Sequence, residues 1–237
     1  MALSNADDPR ERTIELKADS ATLEGTLGVP RSASGVVLFA HGSGSSRFSP
    51  RNRYVAQVFR DAGLATLLLD LLSRNEEEVD EITRHHRFDI PMLADRLVAA
   101  IDWLRTNRET AQLPVGLFGA STGGGAALVA AAERPDRVSA VVSRGGRPDL
   151  AGSWLARVEA PTLLIVGGLD DVVIGLNEQA RDAMRGDVHL EIVPGATHLF
   201  EEPGTLEQVA ALAREWFLTH RHVRQQSQSS RSRGFHG

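Results

Sequence analysis

The chain has 237 residues, 42% hydrophobic and 24% charged, with a formal net charge of −5. These are ordinary values for one large domain with enough core to cover both faces of a sheet. The absence of cysteine excludes disulfides, thiolate metal sites and a cysteine nucleophile. The acidic balance argues against a nucleic-acid footprint over the whole domain, and no apolar run reaches the length of a membrane span.

The first residues, Met1 to Asp8, are polar and acidic and lack the apolar stretch of a signal peptide, so a cytoplasmic chain is expected. Residues 1–11 read as an N-terminal extension and 12–220 as the folded domain. Thr13 to Lys17 and Leu23 to Leu27 alternate with period two, which predicts an opening antiparallel pair. Val36 to Ala40, Ala65 to Leu69, Val115 to Phe118, Val138 to Val142 and Thr162 to Val166 are near-continuous apolar runs of the type buried on both faces of a parallel sheet. His189 to Val193 makes an eighth strand.

Helices are predicted between the strands, over Pro50 to Ala62, Asp89 to Arg105, Thr122 to Arg134, Asn177 to Arg185 and Thr205 to His220. Asp89 is an expected N-cap with Pro91 in the first turn, and Pro135 stops the helix before it. Residues 73–88 form an acidic insertion with five acids between Glu76 and Glu81. Residues 221–237 hold arginine and no acid and read as a disordered basic tail with no assigned role. Strand-helix alternation after an antiparallel start predicts a mixed, mostly parallel eight-stranded sheet with helices on both faces.

The chemistry concentrates at Gly119-Ala120-Ser121-Thr122-Gly123. A strand turns sharply there into a helix of small residues, exposing a serine hydroxyl between two glycines. Serine is a weak nucleophile and needs a base, which in turn needs an acid to fix its tautomer. His198, in the loop after the last strand, is the expected base. Asp170 and Asp171, after the strand ending at Val166, are candidate acids. Asp149 is a third, read rather as the N-cap of a short helix. Acid and histidine follow the serine in the order that such an elbow requires.

Two backbone N–H donors should stabilise the oxyanion. They are expected from Thr122, at the start of its helix, and from Ser43 in His41-Gly42-Ser43-Gly44-Ser45-Ser46. That Gly/Ser loop lacks the lysine and spacing of a nucleotide-binding loop. Neither His85-His86 nor any glycine run has the spacing of a metal or dinucleotide site, so no metal or cofactor is expected.

These segments together (His41-Gly42-Ser43-Gly44, Gly119 to Gly123, Gly167-Gly168-Leu169-Asp170-Asp171-Val172-Val173 and Gly195-Ala196-Thr197-His198) resemble the α/β-hydrolase superfamily. Within it they resemble most the small, lidless dienelactone hydrolase-like group, over roughly residues 12–220. The resemblance implies the α/β-hydrolase fold and a Ser121, Asp170, His198 triad. It departs at the nucleophile: dienelactone hydrolases carry cysteine where this chain has Ser121, so the substrate does not carry over.

Only about eighteen residues separate Ser143 from Thr162, where many relatives insert a lid, so no large lid is expected. The segment 73–88 is the one candidate to overhang the site. Arg144, at the end of its strand, is a candidate substrate-binding residue for an anion, whereas Arg47, Arg51 and Arg53 read as a solvated group. The expected activity is hydrolysis of a small ester, lactone or related acyl compound through an acyl-enzyme. Acyl transfer or amide cleavage with the same residues, and small-molecule binding without turnover, are the alternatives.

Overall fold

The computed structural model describes residues 11–19 and 21–221. The expected N-terminal extension and basic tail therefore lie, apart from Glu11 and Arg221, outside the described residues. Eight strands form one sheet: β1 (Glu11–Ala18), β2 (Ala21–Gly28), β3 (Val36–Ala40), β4 (Ala65–Leu69), β5 (Val115–Ala120), β6 (Val138–Arg144), β7 (Thr162–Gly167) and β8 (Val188–Val193). Their order is β1-β2-β4-β3-β5-β6-β7-β8, with β1 and β2 antiparallel and all pairs from β3 onward parallel.

Among the described residues six α-helices accompany this sheet: α1 (Pro50–Asp61), α2 (Arg74–Thr83), α3 (Ile90–Thr106), α4 (Thr122–Glu133), α5 (Asp171–Ala183) and α6 (Thr205–His220). Alternating side chains of each central strand feed two separate cores. Leu38, Leu67, Leu117 and Val141 pack with α3 and α4 on one face. Val37, Phe39, Leu68, Phe118 and Val142 pack with α1 and α6 on the other. There Phe39, Phe59, Phe118 and Phe217 interlock, with neighbouring ring centroids 5.0–5.8 Å apart. Both faces are covered, which is why β3 to β7 read as continuous apolar runs.

Three expectations need correction. Helix α5 begins at Asp171, six residues before Asn177. Its buried stripe is Val173, Asn177 and Ala180, and a polar residue in the middle of that stripe hides the helical period from the sequence. Residues 73–88 are not a plain insertion. They hold α2, closed by a capping box in which Ser73 and Glu76 bond each other's backbone N–H, and then a 3-10 turn at His86–Phe88. Asp149 is not an N-cap: Arg147 holds that position of the 3-10 segment Pro148–Arg157, and Asp149 accepts two bonds from its guanidinium at 2.8 and 2.7 Å.

Among the described residues there is no lid domain. The segment Pro148–Arg157 is the only helical piece between β6 and β7, and no described helix is long and apolar enough to cross a membrane. After β3 the chain builds β4 on one side and β5 on the other. The carboxyl ends of β3 and β5 therefore mark the crevice where open α/β sheets place ligands.

Candidate active site

Ser121 stands at the end of β5, with φ 50° and ψ −122°, a backbone region that a non-glycine residue enters only under strain. The strain is held by surrounding bonds. The Ser121 N–H donates to the Arg144 carbonyl at 3.3 Å, and its own carbonyl accepts from Gly124 and Arg147 N–H, each at 3.0 Å. The glycines on either side are required by contact rather than by flexibility. A Cβ on Gly119 would lie 2.6 Å from the Gly123 carbonyl oxygen, and one on Gly123 would lie 2.2 Å from that of Ala40. Helix α4 thus seats directly against the ends of β3 and β5, and the serine is pushed outward.

The loops after β7 and β8 bring the acid and the histidine together. Gly168 N–H donates to the Val193 carbonyl at 2.8 Å, and Leu169 N–H to that of Ala196 at 2.9 Å, lacing one loop to the other. Asp170 Oδ2 then lies 2.7 Å from His198 Nδ1. A carboxylate at Nδ1 fixes the proton there and leaves Nε2 as the acceptor. Asp171 instead opens α5, where its charge complements the helix dipole. Phe200, buried and held at φ 54°, pins the histidine loop. A Cβ on Gly145 would touch the Phe200 ring at 3.4 Å and His198 Nδ1 at 3.5 Å. The turn after β6 therefore underlies the Asp170–His198 pair while Arg144, one residue earlier, holds the Ser121 backbone.

The loop after β3 packs on the elbow from the other side. A Cβ on Gly42 would lie 3.1 Å from Ser121 Cβ, and the Ser43 N–H donates to Thr122 Oγ1 at 3.0 Å. The two expected oxyanion donors are thus neighbours, with the Ser43 N–H currently satisfied by a side chain. The Thr122 N–H is at the first position of α4, where no preceding turn offers a carbonyl.

Sequence reasoning missed what stabilises this loop. His41 Nε2 accepts the Leu71 N–H at 3.0 Å and Nδ1 donates to the Gly42 carbonyl at 2.9 Å, the pattern of a neutral ring. Burial pushes the His41 pKa down, only partly opposed by the Gly42 bond and the charges of Asp70 and Glu77. Arg87, from the turn after α2, lies over Gly44 and is gripped by buried Asp80. These side chains, with Ser43, Thr122, Glu77 and Leu93, wall a small pocket beside the elbow. The capping-box spacing Ser73-x-x-Glu76 was the available signal for α2; nothing in the sequence marked Arg87.

The arginine expectations divide. Arg47 is not solvated: it pairs with Asp70 and, at 2.6 Å, with Glu24. Arg51 pairs with exposed Glu201 at 2.8 Å. Arg144 is 8% exposed and carries no side-chain partner among the described residues. No group of three or more acids and histidines among the described residues is arranged to hold a metal.

The sequence pattern of the Dienelactone hydrolase family matches residues 23–226. The crystal structure of a dienelactone hydrolase from Anabaena variabilis ATCC 29413 is 61% identical, with a TM-score of 0.89 over 90% of this chain and 99% of that one. Est1E from Butyrivibrio proteoclasticus, at 16% identity and a TM-score of 0.73 over 88% of this chain and 98% of its own, shares the fold. A Mycobacterium tuberculosis (strain ATCC 25618 / H37Rv) protein named "Putative phosphoribosyl transferase" is 58% identical over 221 residues, 92% of this chain and 49% of that protein. A counterpart of the same name in strain CDC 1551 / Oshkosh matches equally, so the chain spans about half the length of the curated relatives it matches. With an eight-stranded, lidless α/β-hydrolase fold and a match over most of its length, this chain belongs to the dienelactone hydrolase family.

Proposed function

We propose that the chain is a serine hydrolase that cleaves a small ester, lactone or related acyl compound through an acyl-enzyme. The observation that carries this reading is the strained Ser121 elbow on the same sheet edge as an Asp170–His198 pair at 2.7 Å. In the proposed reaction His198 Nε2 takes the Ser121 proton as Oγ bonds to the substrate carbonyl carbon. The carbonyl π electrons move onto oxygen, where the N–H groups of Ser43 and Thr122 receive the negative charge. For Ser43 this exchanges the Thr122 hydroxyl for the substrate oxygen. As the tetrahedral centre collapses, the bond to the alkoxy group breaks and His198 gives that oxygen its proton. A water molecule, deprotonated by His198, then attacks the acyl-serine. The acid leaves and the proton returns to Ser121.

Asp170 keeps the imidazole in the required tautomer and offsets its charge while it holds the proton. The open sheet edge favours compact substrates approached from solvent. The transferase name of the double-length relatives describes proteins of which this chain spans half, and no residue geometry here favours it. Turnover of a graded p-nitrophenyl ester series tests the reading. The expected result is hydrolysis of the short esters, abolished in Ser121→Ala. Equal rates for that variant and the wild type would overturn it.

A further inference from the structure

The loop after β3 has no room to give way around the elbow. A Cβ on Gly42 would meet Ser121 Cβ at 3.1 Å and the Ala120 carbonyl oxygen at 3.2 Å. The His41 ring is held at both nitrogens, by the Leu71 N–H and the Gly42 carbonyl. The Ser45 N–H closes a turn onto that same carbonyl at 3.2 Å. The Ser43 N–H inside this turn is thereby aimed at one atom, Thr122 Oγ1, 3.0 Å away. Thr122 is buried, and among the described residues this N–H is the one partner of its hydroxyl.

The movable part of the contact is the hydroxyl. Threonine in a helix divides between two χ1 positions, and the small pocket that Thr122 borders gives a rotated hydroxyl room. Energetics separate the resting and reacting states. The hydroxyl and a substrate carbonyl are both neutral acceptors, so trading one for the other at Ser43 gains little. An oxyanion accepts a charge-assisted bond about twice as strong and displaces the hydroxyl.

We infer that the Thr122 hydroxyl is a built-in cap on the Ser43 half of the oxyanion hole, displaced only as negative charge develops on the substrate oxygen. The inference rests on the serine-hydrolase reading. The side chain is a positioning group that acts through the Ser43 N–H. While capped, that N–H is never left unpaired and holds a neutral ester no more tightly, so its contribution is reserved for the transition state. The cap also costs rate. Its bond is broken each time a tetrahedral centre forms, in acylation and again in deacylation.

Thr122→Val keeps the β-branched shape and removes the acceptor. With p-nitrophenyl acetate it should raise kcat by about 2- to 10-fold, the range of one neutral hydrogen bond, and leave KM within about twofold. The inhibitor 2,2,2-trifluoroacetophenone should bind more tightly by the same factor. Its ketone carbon takes the Ser121 oxygen, its carbonyl electrons become an oxyanion, and His198 keeps the proton. Thr122→Ser, which retains a hydroxyl, should bind it within about twofold of the wild type. Unchanged kcat and affinity in Thr122→Val would overturn the cap. A loss of both would overturn it too, making the hydroxyl a donor to the oxyanion instead.

A second measurement does not depend on activity. In NMR hydrogen exchange the wild-type Ser43 amide, in an exposed residue, should exchange at least about tenfold more slowly than an unstructured amide. Thr122→Val should remove that protection and Thr122→Ser retain it. Exchange of the wild-type amide at the unstructured rate overturns the cap, even where Thr122→Val fails to fold. The two readings fail differently. Ester turnover with equal rates for wild type and Thr122→Val defeats the cap alone, whereas a wild type inert to esters and to the trifluoroketone defeats the serine-hydrolase reading and the cap with it.

Discussion

At the residue scale, adjacent side chains receive different roles from backbone position alone. Asp170 precedes α5 and turns toward His198, whereas Asp171 lies in the first turn of α5. Asp170→Asn should therefore lower kcat by about 10³- to 10⁴-fold, since an amide presents the wrong partner to Nδ1. Asp171→Asn should alter it about twofold, as exposed substitutions do. Steady-state kinetics of the two variants decide it, and the reverse pattern would assign the acid to Asp171. Arg144 makes a prediction of opposite sign, on stability. Its folded pKa is depressed, so the penalty for holding it charged is present at every pH below about 10 and eases only above it. Arg144→Met should consequently raise the melting temperature at neutral pH. A lower Tm would mean that the guanidinium has a stabilising partner.

At the element scale, α2 is tied to the body of the fold by charge more than by burial. Its Val79 and Ile82 face solvent. The attachment runs instead through Arg96 of α3, which donates to both Glu76 carboxylate oxygens at 2.8 and 2.6 Å and to the Leu71 carbonyl. The bonds from Arg96, opposed by burial and helped by those from Ser73, hold the Glu76 pKa down to about 2. Asp80 is also depressed: Arg87 and the N–H groups around it more than offset burial. A depressed carboxyl contributes stability that is complete above its ordinary value of 4.5 and is lost as pH falls toward 2. Limited pepsin digestion should accordingly cut within residues 73–88 as pH drops below about 4.5, before the central strands open. Glu76→Gln should be cut there at higher pH. An insertion that stays uncut down to pH 2 would contradict the attachment through Glu76.

The same elements show what a sequence can and cannot reveal. β3 to β7 were legible because both faces are buried and their residues are apolar or small, with Arg144 at the end of β6 the exception. The elbow was legible because steric crowding allows only glycine at Gly119 and Gly123. The start of α5 was not, because Asn177 serves the core through its amide, donating to the carbonyls of Gly146 at 3.1 Å and Val173 at 2.8 Å. Arg47 read as a solvated charge and is an internal ion pair; Arg87 gave no signal. Both depend on partners brought close only by folding. Asp170 and Asp171 could be separated by resemblance but not by spacing, since a one-residue difference matters only once the helix start is fixed.

At the scale of the whole molecule, the fold is a sheet covered on two faces whose carboxyl edge carries Ser121, Asp170 and His198. Three loops, after β3, β7 and β8, converge on one turn after β5, and the strand end at β6 supports them from below. Among the described residues no lid domain covers this edge, and the charged side chains beside it are few: Arg87 and Asp80 on one side, Arg51 on the other. The central claim, that Ser121 is a nucleophile, is tested most directly by treating the protein with a fluorophosphonate and mapping the adduct by mass spectrometry. A single stoichiometric adduct on Ser121 is expected, absent in Ser121→Ala and much slower to form in His198→Ala. An unmodified wild-type chain, or an adduct that persists in Ser121→Ala, would contradict it.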